Sequence, residues 1–218
     1  MIGTHPNESP EYAKLRSELF EAEVALRDQR ERVAEVRRAR PRDTEVEDEV
    51  FARVRDGVSE PVKLSELFED PSKPLILMHF MYGKAQSSPC PMCSGWADGY
   101  DGIQKHLAQN VNFVVFVAGD AGEFEAYARS RGWQNLPIVS AADSSLKRAL
   151  GFEGEDGGQH PGVSVFLRRR DGTIVHTYSQ CAFLGEAGFR GMDLLSPLWH
   201  YLDLTPEGRG DFMPSKSY

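Results

Sequence analysis

Two of the three cysteines in this chain, Cys90 and Cys93, stand three residues apart, with Pro91 and Met92 between them. At that spacing two thiols can hold a metal, form a disulfide, or pack as inert residues. A zinc site needs two further ligands. Cys181, His79, His160 and His176 are of the right type, but none forms a second short-spaced pair of the kind structural sites use. A redox dithiol needs a setting that favours a thiolate, and the flanking residues supply one. The apolar run from Leu75 to Met81 precedes the pair and a helix-forming stretch follows it, so Cys90 falls at a strand-to-helix junction. Free backbone N–H groups and the helix dipole lower a thiol pKa there. Pro91 suits the first helical turn, where its missing N–H costs nothing. Cys93 is one turn in. The expected division is Cys90 as attacking thiolate and Cys93 as resolving thiol, with no metal and no organic cofactor.

The elements that must position this pair are legible around it. Ser9-Pro10-Glu11 is a helix start, and Tyr12, Leu15, Leu19, Ala22 and Leu26 make one apolar stripe that runs on to about Arg40, before Pro41. From residue 50, "VFARVR", a turn at Asp56-Gly57 and "PVKL" predict a hairpin, and "SELFED" a helical turn capped by Ser65. Buried strands follow at "PLILMHFMYG", "VNFVVFVA" and "LPIVSA". Helices alternate with them: one from the cysteine motif to Asn110, one at "EFEAYARSRG" stopping at Gly132, and a short one at "DSSLKRALGF". "GVSVFLRRRDGTIVHTYSQ" reads as a hairpin turning at Asp171-Gly172, and "RGMDLLSPLWHYLDL" as a last helix broken near Pro197. The expected fold is an α/β sandwich with a mixed central sheet. The expected division is a helical arm at 1–42, a domain at 43–205 and a tail at 206–218.

Charge and hydropathy exclude several classes. The 218 residues carry a net charge of −8, which argues against general affinity for nucleic acid or an anionic membrane. The arm is locally basic: residues 30–42 hold six Arg and two Glu, hence +4, and a solvated face that packs its stripe on a neighbouring subunit or on its own domain accounts for it better than contact with an acidic partner or nucleic acid does. No apolar run reaches the roughly 18 residues that span a bilayer, and the first residues lack a signal-peptide pattern. The expected compartment is the cytoplasm, where structural disulfides are disfavoured. The arm's stripe needs a surface to cover, which points to a homodimer.

The residues beyond the cysteines narrow the reading. "CPMC" at a strand-to-helix junction, then β-α-β-α, then His160-Pro161 before a terminal hairpin and helix, resembles the thioredoxin superfamily. "VKLSELFEDPSKPLILMHF" resembles the entry to the first core strand of peroxiredoxin-like members. "HFMYG", "CPMCSGWADGYDG", "PGVSVFLRR", "HTYS" and "YLDLTPEGR" resemble a bacterial family described as predicted dithiol–disulfide oxidoreductases, domain of unknown function 899, over nearly the whole chain. The resemblance implies a thioredoxin-like three-layer sandwich, with a peroxiredoxin-like N-terminal hairpin and an extra long N-terminal helix. It also implies a redox dithiol at Cys90 and Cys93, with Pro161 as a cis proline opposite. Two departures stand out. Thioredoxin carries Trp-Cys at its motif, whereas Pro89 precedes Cys90 here and the tryptophan is Trp96. Peroxiredoxins need a Thr shortly before their cysteine and an Arg partner; Ser87 and Ser88 stand in that region here.

Around the dithiol, Met92, Trp96 and Asp98 are expected to shape the site; His160 either approaches it, favouring the thiolate if charged, or is an exposed loop histidine. Asp98 could assist proton transfer to Cys93 or simply complement the helix dipole. His79 reads as a hydrogen-bonded core residue and Cys181 as a passive thiol. The expected function is thiol–disulfide exchange with a protein or small-molecule disulfide, resupplied by a thiol reductant. The alternatives are a redox-sensing or binding module on the same scaffold, and peroxide reduction at Cys90.

Overall fold

A computed structural model describes residues 4, 6–55 and 57–216, the side chains of 187–189 and 194 excepted. The chain divides into two compact units, Met1–Pro41 and Arg42–Tyr218.

The first unit is a single long helix, α1 (Pro10–Arg38). Ser9 Oγ accepts the Tyr12 N–H at 3.0 Å and Pro10 occupies the first turn, while Arg37 and Arg38 complement the dipole at the other end. Arg16 holds Glu8 through two bonds of 2.9 and 3.0 Å. No residue of α1 is buried; Tyr12, Leu15, Leu19 and Leu26 are each more than half exposed.

Among its described residues the second unit holds eight strands and four α-helices. In chain order these are β1 (Thr44–Val46), β2 (Val50–Arg55), β3 (Val58–Lys63), β4 (Leu75–Gly83), α2 (Pro91–Leu107), β5 (Asn112–Ala118), α3 (Ala121–Arg131), β6 (Ile138–Ser140), α4 (Leu146–Ala149), β7 (Gly162–Arg168), β8 (Ile174–Cys181) and α5 (Leu198–Leu202). The sheet order is β1-β8-β7-β4-β5-β6-β2-β3. β4, β5 and β6 run parallel, and every other pairing is antiparallel.

Alternation in the central strands explains the three layers. Met78, Phe80 and Tyr82 of β4, with Phe113, Val115 and Val117 of β5, face α2 and α3 on one side. Leu75 and Leu77, with Val114 and Phe116, face the other side, against Leu146 of α4 and a 3₁₀ turn at Leu64–Leu67. Both faces of these strands are covered, so they read as continuous apolar runs.

Several local expectations need correction. The Leu64–Leu67 turn contains Ser65 instead of being capped by it: the Ser65 N–H and hydroxyl both go to Asp48, and the Glu66 carboxylate accepts the Lys63 N–H. The Asp56-Gly57 turn lies partly outside the described residues, since Asp56 is not among them; Arg55 pairs with Val58 across it. The last helix is shorter than its apolar pattern suggests: a 3₁₀ stretch at Gly185–Leu194 precedes the five residues of α5. β1 went unpredicted, because three residues of mixed polarity carry no period. It is an edge strand, held by β8.

Candidate functional site

The dithiol sits where β4 hands over to α2. The Cys90 N–H donates to the Met81 carbonyl at the end of β4 (3.3 Å), and the Cys90 carbonyl accepts the Ser94 N–H (3.0 Å), the first turn of α2. Cys90 is therefore the N-cap, with extended backbone (φ −64°, ψ 128°), and Pro91 follows as the first helical residue. A cap side chain folds back on the helix's unpaired N–H groups. Here that side chain is a thiol, and its sulfur accepts the Cys93 N–H at 3.4 Å.

The two thiols are pushed apart in acidity. Cys90 is lowered from 9.0 to about 6, first by the hydrogen bond from the Cys93 side chain, then by the Cys93 and Met92 N–H groups and the nearby Lys216 ammonium, against the opposing effect of partial burial. Cys93 is 1% exposed, and burial raises its thiol well above the ordinary value, with the Cys90 charge adding to the effect. At neutral pH the half-buried sulfur is a thiolate and the buried one a thiol.

The surroundings hold this arrangement rigid. Ser94 is fully buried; its hydroxyl donates to the Cys90 carbonyl (2.8 Å) and lies 2.6 Å from the Tyr127 hydroxyl of α3. Met92 and Trp96 are buried in the same core as Cys93. Trp96 Nε1 and the Tyr100 hydroxyl both donate to the Leu195 carbonyl, at 3.2 and 2.6 Å, which ties the C-terminal region to α2. Beside Met92 lies a groove of about 260 Å³, walled by Trp199, Phe212, Met213 and Arg209.

Asp98 has a task different from either expectation. One carboxylate oxygen accepts from Arg131 at 2.5 Å and the other from Trp133 Nε1 at 2.7 Å. It brackets α3 against α2, with both oxygens already engaged.

Pro161 departs from what the resemblance implies, and His160 takes the exposed-loop alternative. The His160–Pro161 bond is trans, as is every bond among the described residues. Pro161 continues the β7–β8 ladder: its carbonyl accepts the Ala182 N–H at 2.8 Å, while the His160 N–H goes to Phe152. A chain in sheet register keeps its backbone edge engaged, which removes the open edge expected of a cis proline. Gly162 follows because β8 presses close; a Cβ there would clash with the Gln180 carbonyl oxygen. His160 is exposed, and its ring meets Phe183 edge-on at 6.2 Å. The cation whose charge favours the Cys90 thiolate is Lys216. Cys181 ends β8 opposite Gly162, and all three cysteines are free thiols.

Two lysines that sequence reasoning passed over belong to this neighbourhood. Lys147 is completely buried and donates to the Phe80 and Phe116 carbonyls, at 3.1 and 3.4 Å. The β4–β5 ladder loses register between His79 and Gly83, and Lys147 supplies donors at that irregularity. Burial lowers its ammonium to about 7, opposed by the Cys93 and Glu153 charges. Nothing in "LKRAL" marks it as buried. Lys216 lies in the expected tail, where no periodicity draws notice. Residues 206–216 belong to the second unit and return to α2.

His79 is fully buried on the opposite face. Its ring stacks on Phe152 at 3.7 Å, and Nε2 meets Ser164 Oγ at 2.8 Å, then Ser179 and His176 in turn at 2.7 Å each. Burial first, then the Lys147 and His176 charges, hold this imidazole well below its usual pKa. Among the described residues, no three His, Cys, Asp or Glu converge as a metal centre would require. No described helix is long and apolar enough to cross a membrane.

No curated protein matches the sequence. Among solved structures the chain is similar to AhpC of Enterococcus faecalis, at 14% identity over 79% of this chain and 98% of that one, with a TM-score of 0.50. It is also similar to oxidized Prx3 of Vibrio vulnificus (16% identity, 65% of this chain, 87% of that one, TM-score 0.45). A third is the antioxidant protein, a 1-Cys peroxiredoxin, of Plasmodium falciparum (14% identity, 65% and 83%, TM-score 0.49). The AhpC likeness is one of fold, a thioredoxin-like mixed sheet between helices. Together with the arrangement around Cys90, the sequence itself supplies the assignment: the profile of a family described as bacterial protein of unknown function, DUF899, matches residues 2–218, and the chain belongs to that family.

Proposed function

We propose that the protein is a thiol–disulfide oxidoreductase that uses Cys90 as nucleophile and Cys93 as resolving thiol. The observation that carries this reading is the opposed acidity of two sulfurs one helical turn apart: Cys90 lowered to about 6, Cys93 raised. A thiolate at a helix N-terminus attacks a disulfide, and a protonated, buried neighbour waits until the mixed disulfide forms.

The Cys90 thiolate attacks one sulfur of R–S–S–R′, forming Cys90–S–S–R and releasing R′–S⁻, which takes a proton from solvent. The Cys93 thiol attacks the Cys90 sulfur, and the proton it gives up passes to the departing R–S⁻. The product is the Cys90–Cys93 disulfide and two substrate thiols. An external dithiol reductant reverses the last bond and completes the cycle. A homodimer formed through the apolar stripe of α1, in the cytoplasm, completes this reading.

The test is Cys93→Ser incubated in turn with a disulfide and with hydrogen peroxide. The expected result is a Cys90 mixed disulfide that persists in Cys93→Ser and is transient in the wild type. A sulfenic acid formed at catalytic speed, with no reaction toward disulfides, would assign the site to peroxide reduction instead. A wild-type dithiol that cycles with neither reagent would leave only a sensing or binding role.

A further inference from the structure

We propose that the C-terminal segment, residues 209–216, is a working part of the dithiol site, with Lys216 as the positioning cation for the Cys90 thiolate. The inference deepens the oxidoreductase reading and depends on it only for its consequence in turnover.

The segment is fastened to the site at successive points. Arg209 forms bonds to Asp193 and Asp203, the first at 2.7 Å. The Phe212 ring meets Trp199 at 5.8 Å. Pro214 lies over α2, with its Cβ 3.5 Å from where a side chain on Gly95 would begin. The Arg131 guanidinium donates to the Lys216 carbonyl at 2.7 Å, and the same guanidinium is held by Asp98 of α2. Lys216 Nζ then donates to the carbonyl of Pro89, the residue directly before Cys90, at 3.2 Å.

The chemistry of each link is specific. Asp98 and Arg131 neutralise each other, so the bracket holds the backbone of Lys216 without spending the lysine's own charge. The ammonium is left beside the thiolate with a carbonyl as its partner, and its positive charge favours the ionised sulfur. Among the described residues, the groups that face Cys90 are Cys93 on α2, Tyr127 on α3 and Lys216. Of these, only the lysine is a cation. The thioredoxin-like sheet and α2 build the dithiol, and residues 209–216 bring the charge to it.

The experiment measures the titration of Cys90, by thiolate ultraviolet absorbance and by the rate of alkylation with a neutral reagent, in the full-length protein. Lys216→Met is expected to raise the Cys90 midpoint, leaving about three- to tenfold less thiolate below it. Lys216→Arg should restore the wild-type midpoint. The wild-type and Lys216→Met curves should converge at high salt, because the lysine is part-exposed and screened. Arg131→Ala should shift Cys90 in the same direction through release of the segment, and if that variant fails to fold, the Lys216 variants decide alone. An unchanged midpoint in Lys216→Met overturns the inference even where the dithiol still turns over disulfides. A shifted midpoint in a protein that turns over no disulfide upholds the cation's role and removes the oxidoreductase reading instead.

Discussion

The Cys93 backbone N–H points at the Cys90 sulfur across 3.4 Å, so the residue expected to resolve the disulfide also stabilises its partner's thiolate. The helix that carries both residues makes the relationship. Cys90 is the cap, and Cys93 is the third helical residue, whose N–H has no carbonyl within the helix.

From this geometry, Cys90 reactivity rises with pH through about 6 and levels off above neutrality. Its folded pKa is depressed, so its contribution to stability is fully present above 9, the ordinary value, and is lost as pH falls through about 6. Alkylation rates between pH 5 and pH 9 check the first statement. Cys93→Ala removes the largest favourable cause and should move the midpoint upward. A midpoint that stays near 6 in Cys93→Ala would assign the low pKa to the helix and Lys216 alone.

Lys147 should make stability depend on alkaline pH. Its ammonium is depressed from 10.5 to about 7 by burial, so the folded state binds fewer protons than the unfolded state between those values, and stability rises with pH across that window. Lys147→Met removes this dependence but strips donors from the Phe80 and Phe116 carbonyls, each costing about 1–3 kcal/mol. Relative to wild type, the variant should therefore gain about 3 kcal/mol between pH 9 and pH 6. Urea unfolding at both values, in a Cys90→Ser, Cys93→Ser background, measures this. An equal difference at both pH values would show that the buried lysine does not titrate.

The His79–Ser164–Ser179–His176 chain is a structural device on the face away from the dithiol. Ser164→Ala should destabilise the protein by about 1–3 kcal/mol, because buried His79 Nε2 loses its partner, while Cys90 alkylation stays unchanged. Chemical unfolding and alkylation measured on one sample separate these outcomes. A large change in Cys90 reactivity would couple the two faces.

The stripe on α1 tests the homodimer. Replacing Leu15 and Leu19, each more than half exposed, with Asp puts charge on that stripe. The expected result is a shift from dimer to monomer in light scattering with the Cys90 midpoint retained. A wild-type chain that is already monomeric at tens of micromolar protein would end this part of the proposal.

Much of the architecture was legible because it depends on local pattern. Near-continuous apolar runs at 75–81 and 112–118 reveal strands covered on both faces, where the few polar residues, His79 and Asn112, are themselves buried. Ser9-Pro10 and Gly132 mark helix ends, the first by capping chemistry and the second by a left-handed backbone (φ 79°) that glycine adopts without strain. β1 was not legible, because three residues paired only along a sheet edge leave no pattern. The break near Pro197 was legible too, but the 3₁₀ form of the stretch before it was not, because Gly185–Leu194 and α5 share one apolar spacing.

That two thiols flank Pro91 and Met92 at the start of a helix follows from local signals: spacing, proline and the preceding strand all lie within one stretch. What surrounds the thiols is set by long-range packing. Asp98 turns to Arg131 and Trp133, the His160–Pro161 backbone stays in the sheet ladder, Lys147 is buried under β4 and β5, and Lys216 returns to Pro89. Each of these joins residues distant in the chain, and a charged side chain shows the same chemistry in sequence whether it will be solvated or enclosed. Its pKa and its partner are set by the packing around it, which no single stretch of sequence contains.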